Sequence, residues 1–152
     1  MAAPLEDLAK RQSVEDLVVR MFVATDERDW KTVESCFTDP FVLDMVSMVG
    51  GDPATMTPVQ VCAAWAEGFK ALTHVHHQIG NLRTTLGDRM ATVHCYGIAL
   101  HHRSAVSTEA KSRRFVGTYD IELQSTEGSW RISRLKFNLK FIDGNLELEK
   151  AT

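Results

Sequence analysis

The hydrophobic period of this chain changes near Thr73, and that change limits the possible folds more than any other feature. Before it, apolar residues recur at helical spacing; after it, they alternate. Val14, Leu17, Val18, Met21 and Phe22 step by three, one, three and one, a single stripe on an α-helix. Asp26, four residues beyond Phe22, continues that stripe at the last turn. Ser13 is the expected N-cap, with Asp16 at N3 as a shortened capping box. A short helix is expected from about Trp30 to Cys36, broken by Asp39-Pro40, and then a short strand from Phe41 to Met45. Val49 to Pro53 reads as an open loop. Thr57 as N-cap and Pro58 at N1 open another helix, with Val61, Ala64, Trp65, Phe69 and Leu72 facing inward.

Four alternating strands follow, at about 73–86, 89–103, 111–125 and 128–142. Gly87-Asp88, Ser107-Thr108 and Glu127-Gly128 supply their turns. In the last strand Trp130 and Ile132 are out of phase with Leu135, Phe137, Leu139 and Phe141. One extra residue near Ser133 or Arg134, a β-bulge, would repair the phase and bend the strand. Helices followed by a meander of long strands is the α+β pattern. The expected arrangement is a cone: a curved antiparallel sheet wrapped around the N-terminal helices, with an internal pocket.

At 152 residues the chain is expected to be one domain, residues 1–152. Its net charge of −3 gives no basic field for nucleic acid or an anionic membrane. No apolar run approaches the roughly 20 residues that span a bilayer. The first eleven residues carry Glu6 and Asp7 and no apolar signal core, so a cytoplasmic protein is expected. Cys36, Cys62 and Cys95 are scattered without metal spacing and read as free thiols. No phosphate loop or dinucleotide fingerprint is present, and no cofactor is expected.

An inward Asp26 needs a partner, because an ionised carboxylate in apolar surroundings is costly alone. The run Thr73 to Asn81 offers one. Val75, His77 and Ile79 share a strand face, opposite His74, His76 and Gln78. In the next strand Ala91, Val93, Cys95, Gly97, Ala99 and His101 form the inward set, whose small side chains leave room for a ligand; His102 points the other way but stays open as a candidate. Phe115, Gly117, Tyr119, Ile121 and Leu123 face inward in the third strand. The candidate catalytic residues are thus Asp26, His77, His101 and Tyr119. Val75, Ile79, Trp65, Phe115 and Phe137 are the expected substrate-binding wall, suited to an apolar or ring-containing molecule. The histidines divide between two strand faces, which argues against a metal site.

Thr25-Asp26-Glu27-Arg28-Asp29-Trp30 resembles the signature of SnoaL-like proteins: aspartate, two polar residues, aspartate, tryptophan. Cys36-Phe37-Thr38, His77 with Ile79-Gly80-Asn81, Ala99-Leu100-His101, Gly117-Thr118-Tyr119 and Trp130-Arg131-Ile132 follow in matching order over nearly the whole chain. The resemblance implies the cone-shaped α+β fold of the nuclear transport factor 2-like (cystatin-like) superfamily, with homodimers or homotrimers. The nearest functional likeness is scytalone dehydratase, which removes water next to a carbonyl. By that likeness Asp26 stands for its aspartate, His77 for its first histidine, and His101 or His102 for its second. Thr25 and Met45 stand where that enzyme has tyrosines.

The chemistry expected of these parts is acid–base. Asp26 fixes the tautomer of His77, whose free nitrogen removes a proton next to a carbonyl. The same imidazolium, or the second histidine, protonates a departing hydroxyl, and Tyr119 or a water polarises the carbonyl oxygen. A lyase or isomerase is the leading class. A ketosteroid-isomerase-like shuttle with Asp26 as base and a non-catalytic binding or assembly subunit remain open. Epoxide hydrolysis would need an inward arginine, for which Arg134 is the candidate. Tyr96, Ile98 and Leu100 on the outer face point to a covering subunit.

Overall fold

A computed structural model describes residues 2–107 and 110–150. The elements in order are α1 (Ala2–Asp26), α2 (Trp30–Ser35), β1 (Phe37–Asp44), α3 (Val46–Val49), β2 (Ala54–Met56), α4 (Pro58–Phe69), β3 (His74–Leu86), β4 (Met90–His102), β5 (Ser112–Thr126) and β6 (Ser129–Gly144). Among the described residues no helix is long and apolar enough to cross a membrane.

Helix α1 starts well before its expected cap. Ser13 lies mid-helix, where its hydroxyl donates to the carbonyl of Ala9 at 2.9 Å, and Asp16 accepts from Gln12. Nothing between Ala2 and Gln12 breaks a helix except Pro4, and proline is tolerated in a first turn. The expected stripe is buried, from Val14 to Phe22, and Asp26 is the last residue of the helix. Asp29 caps α2, accepting from both the backbone N–H and the hydroxyl of Thr32. Helix α2 ends at Ser35 without help from Pro40, because Asp39-Pro40 lies inside a β1 that begins four residues earlier than expected. Residues 46–49 form a helical turn, and the loop expected from Val49 to Pro53 follows it from Gly50. The Thr57–Gln60 capping box holds the start of α4. Ala64 of that helix is exposed rather than inward.

The four long strands form as expected and pair in antiparallel succession. Glu127 and Gly128, both left-handed with φ of 53° and 80°, make the tight turn between β5 and β6. Thr108, half of another expected turn, lies outside the described residues. The expected bulge is at Ser133: Glu122 pairs with Arg134 and Leu123 with Ile132. A second shift leaves Lys140 as an extra residue, with Val116 opposite Phe141 and Gly117 opposite Leu139. It takes Phe141 out of the phase it shares with Leu135, Phe137 and Leu139 in the sequence and turns it out to 50% exposure.

The cone expectation is corrected by the sheet itself. The six strands run in the order β2-β1-β6-β5-β4-β3, an open array whose edges, β2 and β3, do not meet. It is neither closed nor strongly curled around the helices. It is also mixed rather than antiparallel, because β1 runs parallel to β6. Alternation along a strand reports which side chains share a face; it carries no information on strand direction or closure. The α+β architecture stands, with helices over one face. The main core joins the α1 stripe to Ala91, Val93 and Cys95 of β4, Ile121 and Leu123 of β5, and Ile132 and Leu135 of β6. A smaller cluster of Leu72, Val75, Val106 and Leu148 ties the C-terminal segment to one end of the sheet.

Candidate active site

A cavity of about 180 Å³ lies between the helices and the inner sheet face. Its walls include Met21, Phe22 and Thr25 of α1, Trp65 and Phe69 of α4, Met45 and Met48 beside and within α3, and Phe115 and Phe137 of β5 and β6. His77, His101 and Tyr119 are set among them, each with a ring nitrogen or hydroxyl that has no hydrogen-bond partner among the described residues. An apolar cavity of roughly 150 Å³ takes up benzene, so this one suits a ring of comparable or somewhat larger size.

Small residues make that space. Ala99 lies on the wall opposite His77 in the β3–β4 ladder. A Cβ on Gly97 would stand 2.2 Å from Cε2 of Tyr119, so only glycine lets the phenol ring lie across β4. Phe22 holds that ring edge-on at 4.8 Å and Phe137 packs against it at 4.9 Å.

Asp26 and His77 meet. The Nδ1–H of His77 donates to Asp26 Oδ1 at 2.6 Å, and its backbone N–H donates to Oδ2 at 2.8 Å. Both carboxylate oxygens are therefore engaged by one residue. A carboxylate can only accept, so Nδ1 carries a proton, and in the neutral ring Nε2 keeps its lone pair. Charge-assisted bonds of this kind contribute about 1.5–3 kcal/mol each, which offsets the desolvation of a half-buried carboxylate. Asp26 itself stands behind His77 rather than on the cavity wall.

His101 has a partner of opposite sign. Arg113, directly across the β4–β5 ladder, donates to its Nδ1 from Nη2 at 3.0 Å and from Nε at 3.3 Å. The far side of the guanidinium grips Glu149 through both Nη atoms, one at 2.7 Å. Burial, then the Arg113 charge, then His77 push the His101 pKa down to about 4. Burial works to raise the Glu149 carboxyl, but the Arg113 hydrogen bonds outweigh it and hold it below its ordinary value. Burial raises the Tyr119 phenol, with Cys95 and Asp26 adding to the effect, so it stays protonated at neutral pH.

Three polar tips remain: Nε2 of His77, Nε2 of His101 and the Tyr119 hydroxyl. Among the described residues no fully enclosed polar side-chain atom lacks a hydrogen-bond partner. These three make no hydrogen bond among the described residues, so each reaches the open space of the cavity they line.

Other expectations end elsewhere. Of the expected wall, Trp65, Phe115 and Phe137 line the cavity; Val75 and Ile79 do not. Val75 sits toward the strand end in the Leu148 cluster, and Ile79 packs against the main core. Sharing a face with His77 does not bring a side chain to the same depth of the cavity. His102 is on the outer side, its Nδ1 against the Ser112 hydroxyl. Arg134 pairs with the buried Asp44 at 2.7 Å and is off the cavity wall, which leaves an Asp–Arg–Asp relay without its arginine. Thr25 and Met45 do line the cavity, but the Thr25 hydroxyl is spent on the Met21 carbonyl at 2.8 Å. Among the described residues no three His, Cys, Asp or Glu side chains gather as metal ligands. Arg113 and Glu149 were absent from the sequence reading. Parity with Phe115 and Tyr119 could have found Arg113; no local pattern marks Glu149.

These features define a class, and comparison with known proteins agrees. The profile of the SnoaL-like domain matches residues 6–136, so the chain belongs to the SnoaL-like family. No functionally curated protein matches the sequence significantly. Among solved structures, the Kfla4162 protein from Kribbella flavida is 26% identical, with a TM-score of 0.89 over 95% of this chain and 99% of that one. A protein provisionally assigned as a scytalone dehydratase from Novosphingobium aromaticivorans is 13% identical, with a TM-score of 0.78 over 91% and 89% of the two chains. The hexachlorocyclohexane dehydrochlorinase LinA-type3 from Novosphingobium barchaimii is 16% identical, with a TM-score of 0.76 over 94% of each. At those last two identities the likeness is one of fold.

Proposed function

We propose that this protein is a lyase or isomerase that needs no cofactor, acting as one SnoaL-like domain on a neutral, ring-containing small molecule. The observation that carries the reading is the 2.6 Å contact between Asp26 and His77 at the wall of an apolar cavity. Nε2 of His77 takes a proton from a carbon next to a carbonyl. The electron pair of that C–H bond moves into the ring system as an enolate, and the Asp26 carboxylate balances the imidazolium that forms. In an elimination the pair continues into a C=C bond as the C–O or C–halogen bond breaks and hydroxide or halide departs with that bond's electron pair. In a dehydration the imidazolium returns its proton to the hydroxide, which leaves as water; in an isomerisation it returns the proton to another carbon. Tyr119, held protonated, faces the same space and can donate to the carbonyl oxygen. Two of the structural neighbours carry names of eliminating enzymes, which supports the elimination branch. The phenols of scytalone dehydratase have no counterpart at Thr25 and Met45, so the substrate is placed differently here. Exposed Tyr96, Leu100 and Phe141 on the outer sheet face support a homo-oligomer.

Solvent deuterium exchange next to the carbonyl of simple ring ketones tests the chemistry without knowledge of the leaving group. The wild type should speed exchange and His76→Ala should match it, while His77→Ala should lose the effect. Exchange that persists in His77→Ala would move the base to another residue, and a wild type that speeds exchange of no ketone would leave a binding protein.

A further inference from the structure

We propose that Arg113 and Glu149 are positioning residues that lock His101 as a neutral Nε2–H hydrogen-bond donor, so that the two cavity histidines carry opposite roles: His77 accepts a proton from carbon while His101 donates a hydrogen bond to the substrate's carbonyl oxygen. This deepens the acid–base reading of the cavity and rests on it. The ligand class it specifies is a neutral ketone or quinone-like ring rather than a carboxylate or phosphate, because among the described residues no Lys or Arg lines the cavity and Arg113 behind His101 is already committed to Glu149.

The argument is geometric. A guanidinium is always protonated and has no acceptor, so the atom of His101 that faces it must be a lone pair. Two Arg113 nitrogens converge on Nδ1 of His101, at 3.0 and 3.3 Å. A neutral imidazole whose Nδ1 accepts carries its proton on Nε2. That nitrogen has no partner among the described residues and reaches the cavity. At His77 the sign is reversed: Asp26 can only accept, so Nδ1 carries the proton and Nε2 is the base. Both rings lie on the inner face, His77 opposite Ala99 and His101 two residues further along β4, so they flank one site.

Glu149 completes the device from the C-terminal segment. Leu148 beside it is fully buried with Leu72, Val75 and Val106, and Arg103 donates to the carbonyls of Leu148 and Glu149 at 3.0 and 2.9 Å. The segment thus holds its carboxylate against Arg113 and prevents the guanidinium from turning toward the ligand. The charged and titratable groups that act on His101 are Arg113 from β5, Glu149 from this segment, His77 from β3 and Asp26 from α1; α4 places the Phe69 ring 5.5 Å from it. Burial and Arg113 together keep the ring uncharged at neutral pH, so it donates without competing with His77 for the substrate proton.

Long-range ¹H–¹⁵N spectra of the histidine-labelled protein read both tautomers directly. In the wild type, His101 should show only the neutral Nε2–H form from pH 8 to 5.5, and His77 the Nδ1–H form at neutral pH. Arg113→Leu should raise the His101 titration midpoint by at least one pH unit. Glu149→Gln, which leaves the guanidinium in place, should not raise it; a merely structural role would move both variants the same way. Saturating 1-indanone should shift the His101 Nε2 signal, and indane, which lacks the oxygen, should not. A wild-type His101 that is Nδ1–H or imidazolium at pH 7 overturns the proposal, and that result needs no variant to fold. An Arg113→Leu midpoint equal to the wild type overturns it as well. So does a ketone effect no larger than the hydrocarbon's. A His77 ring without Nδ1–H would strike the Asp26–His77 base instead and leave the His101 assignment standing.

Discussion

The protein has two His–Asp pairs with nearly the same contact distance on opposite faces of one sheet. His77 and Asp26 meet at 2.6 Å inside, with side chains 11% and 16% exposed; His94 and Asp120 meet at 2.7 Å outside, at 41% and 51%. Both place Nδ1 against a carboxylate. The inner pair points its free nitrogen into an apolar cavity with a second histidine and a phenol. The outer pair is braced by Asn138, which donates to Asp120 at 2.8 Å, and stands in solvent. The difference lies in the surroundings: electrostatic effects weaken in high dielectric, and substrate has no reason to lodge on an open face. A dyad by itself is therefore a weak sign of chemistry; a dyad at the wall of an apolar cavity is a stronger one.

The largest effect expected breaks the comparison directly. His77→Ala should cost turnover on the order of 10²–10⁴-fold, the usual worth of a general base, while His94→Ala should change it less than about twofold. Steady-state or exchange rates on one ring ketone decide this, and equal losses would mean that the outer pair shapes the site.

The carboxylates should separate the faces next. Asp26→Asn replaces an acceptor by an amide that can turn a donor toward Nδ1, so the wrong tautomer becomes available. A loss of roughly 10²-fold in kcat with little change in KM is expected. Asp120→Asn should leave kcat within about twofold.

Acid stability sharpens the contrast between the inner histidine His101 and the outer carboxylate. The folded pKa of His101 is pushed from 6.5 to about 4, so between those values the unfolded chain binds a proton that the folded one refuses. Its contribution is complete above pH 6.5 and is lost as pH falls toward 4, on the order of 3 kcal/mol at most. Urea midpoints should drop across that window, and His101→Gln should flatten the slope. Asp120 is held below its ordinary 3.8, by the His94 hydrogen bond first and Asn138 after burial's opposing effect. Its share is present above 3.8 and fades only below it, so His94→Gln should alter stability near neutral pH and not the slope between 6.5 and 4.

The smallest effect concerns the outer surface. Tyr96→Asp, beside the Lys140 ammonium that sits 4.7 Å over the Tyr96 ring, should leave the folded protomer intact and lower the mass seen by light scattering. A wild type that is already monomeric at micromolar concentration would end the homo-oligomer reading.

Much of this comparison was legible beforehand. Parity alone put His77 and His101 on one face and His74, His76, His94 and His102 on the other, because side chains alternate along a strand whatever it pairs with. The helical stripe brought Asp26 to the end of α1, and the phase slip located the Ser133 bulge. Those are local properties, set by backbone geometry over a few residues, and the sequence by itself determined them. The tertiary structure alone decided the rest. It ran β1 parallel to β6 and left the sheet open, since direction and closure depend on pairings far apart in the chain. It inserted Lys140 as a second bulge and turned Phe141 outward. It also carried Glu149 to Arg113, 36 residues away in sequence. Whether a histidine donates or accepts depends on the charge packed against its other nitrogen, and here a carboxylate stands behind one ring and a guanidinium behind the other.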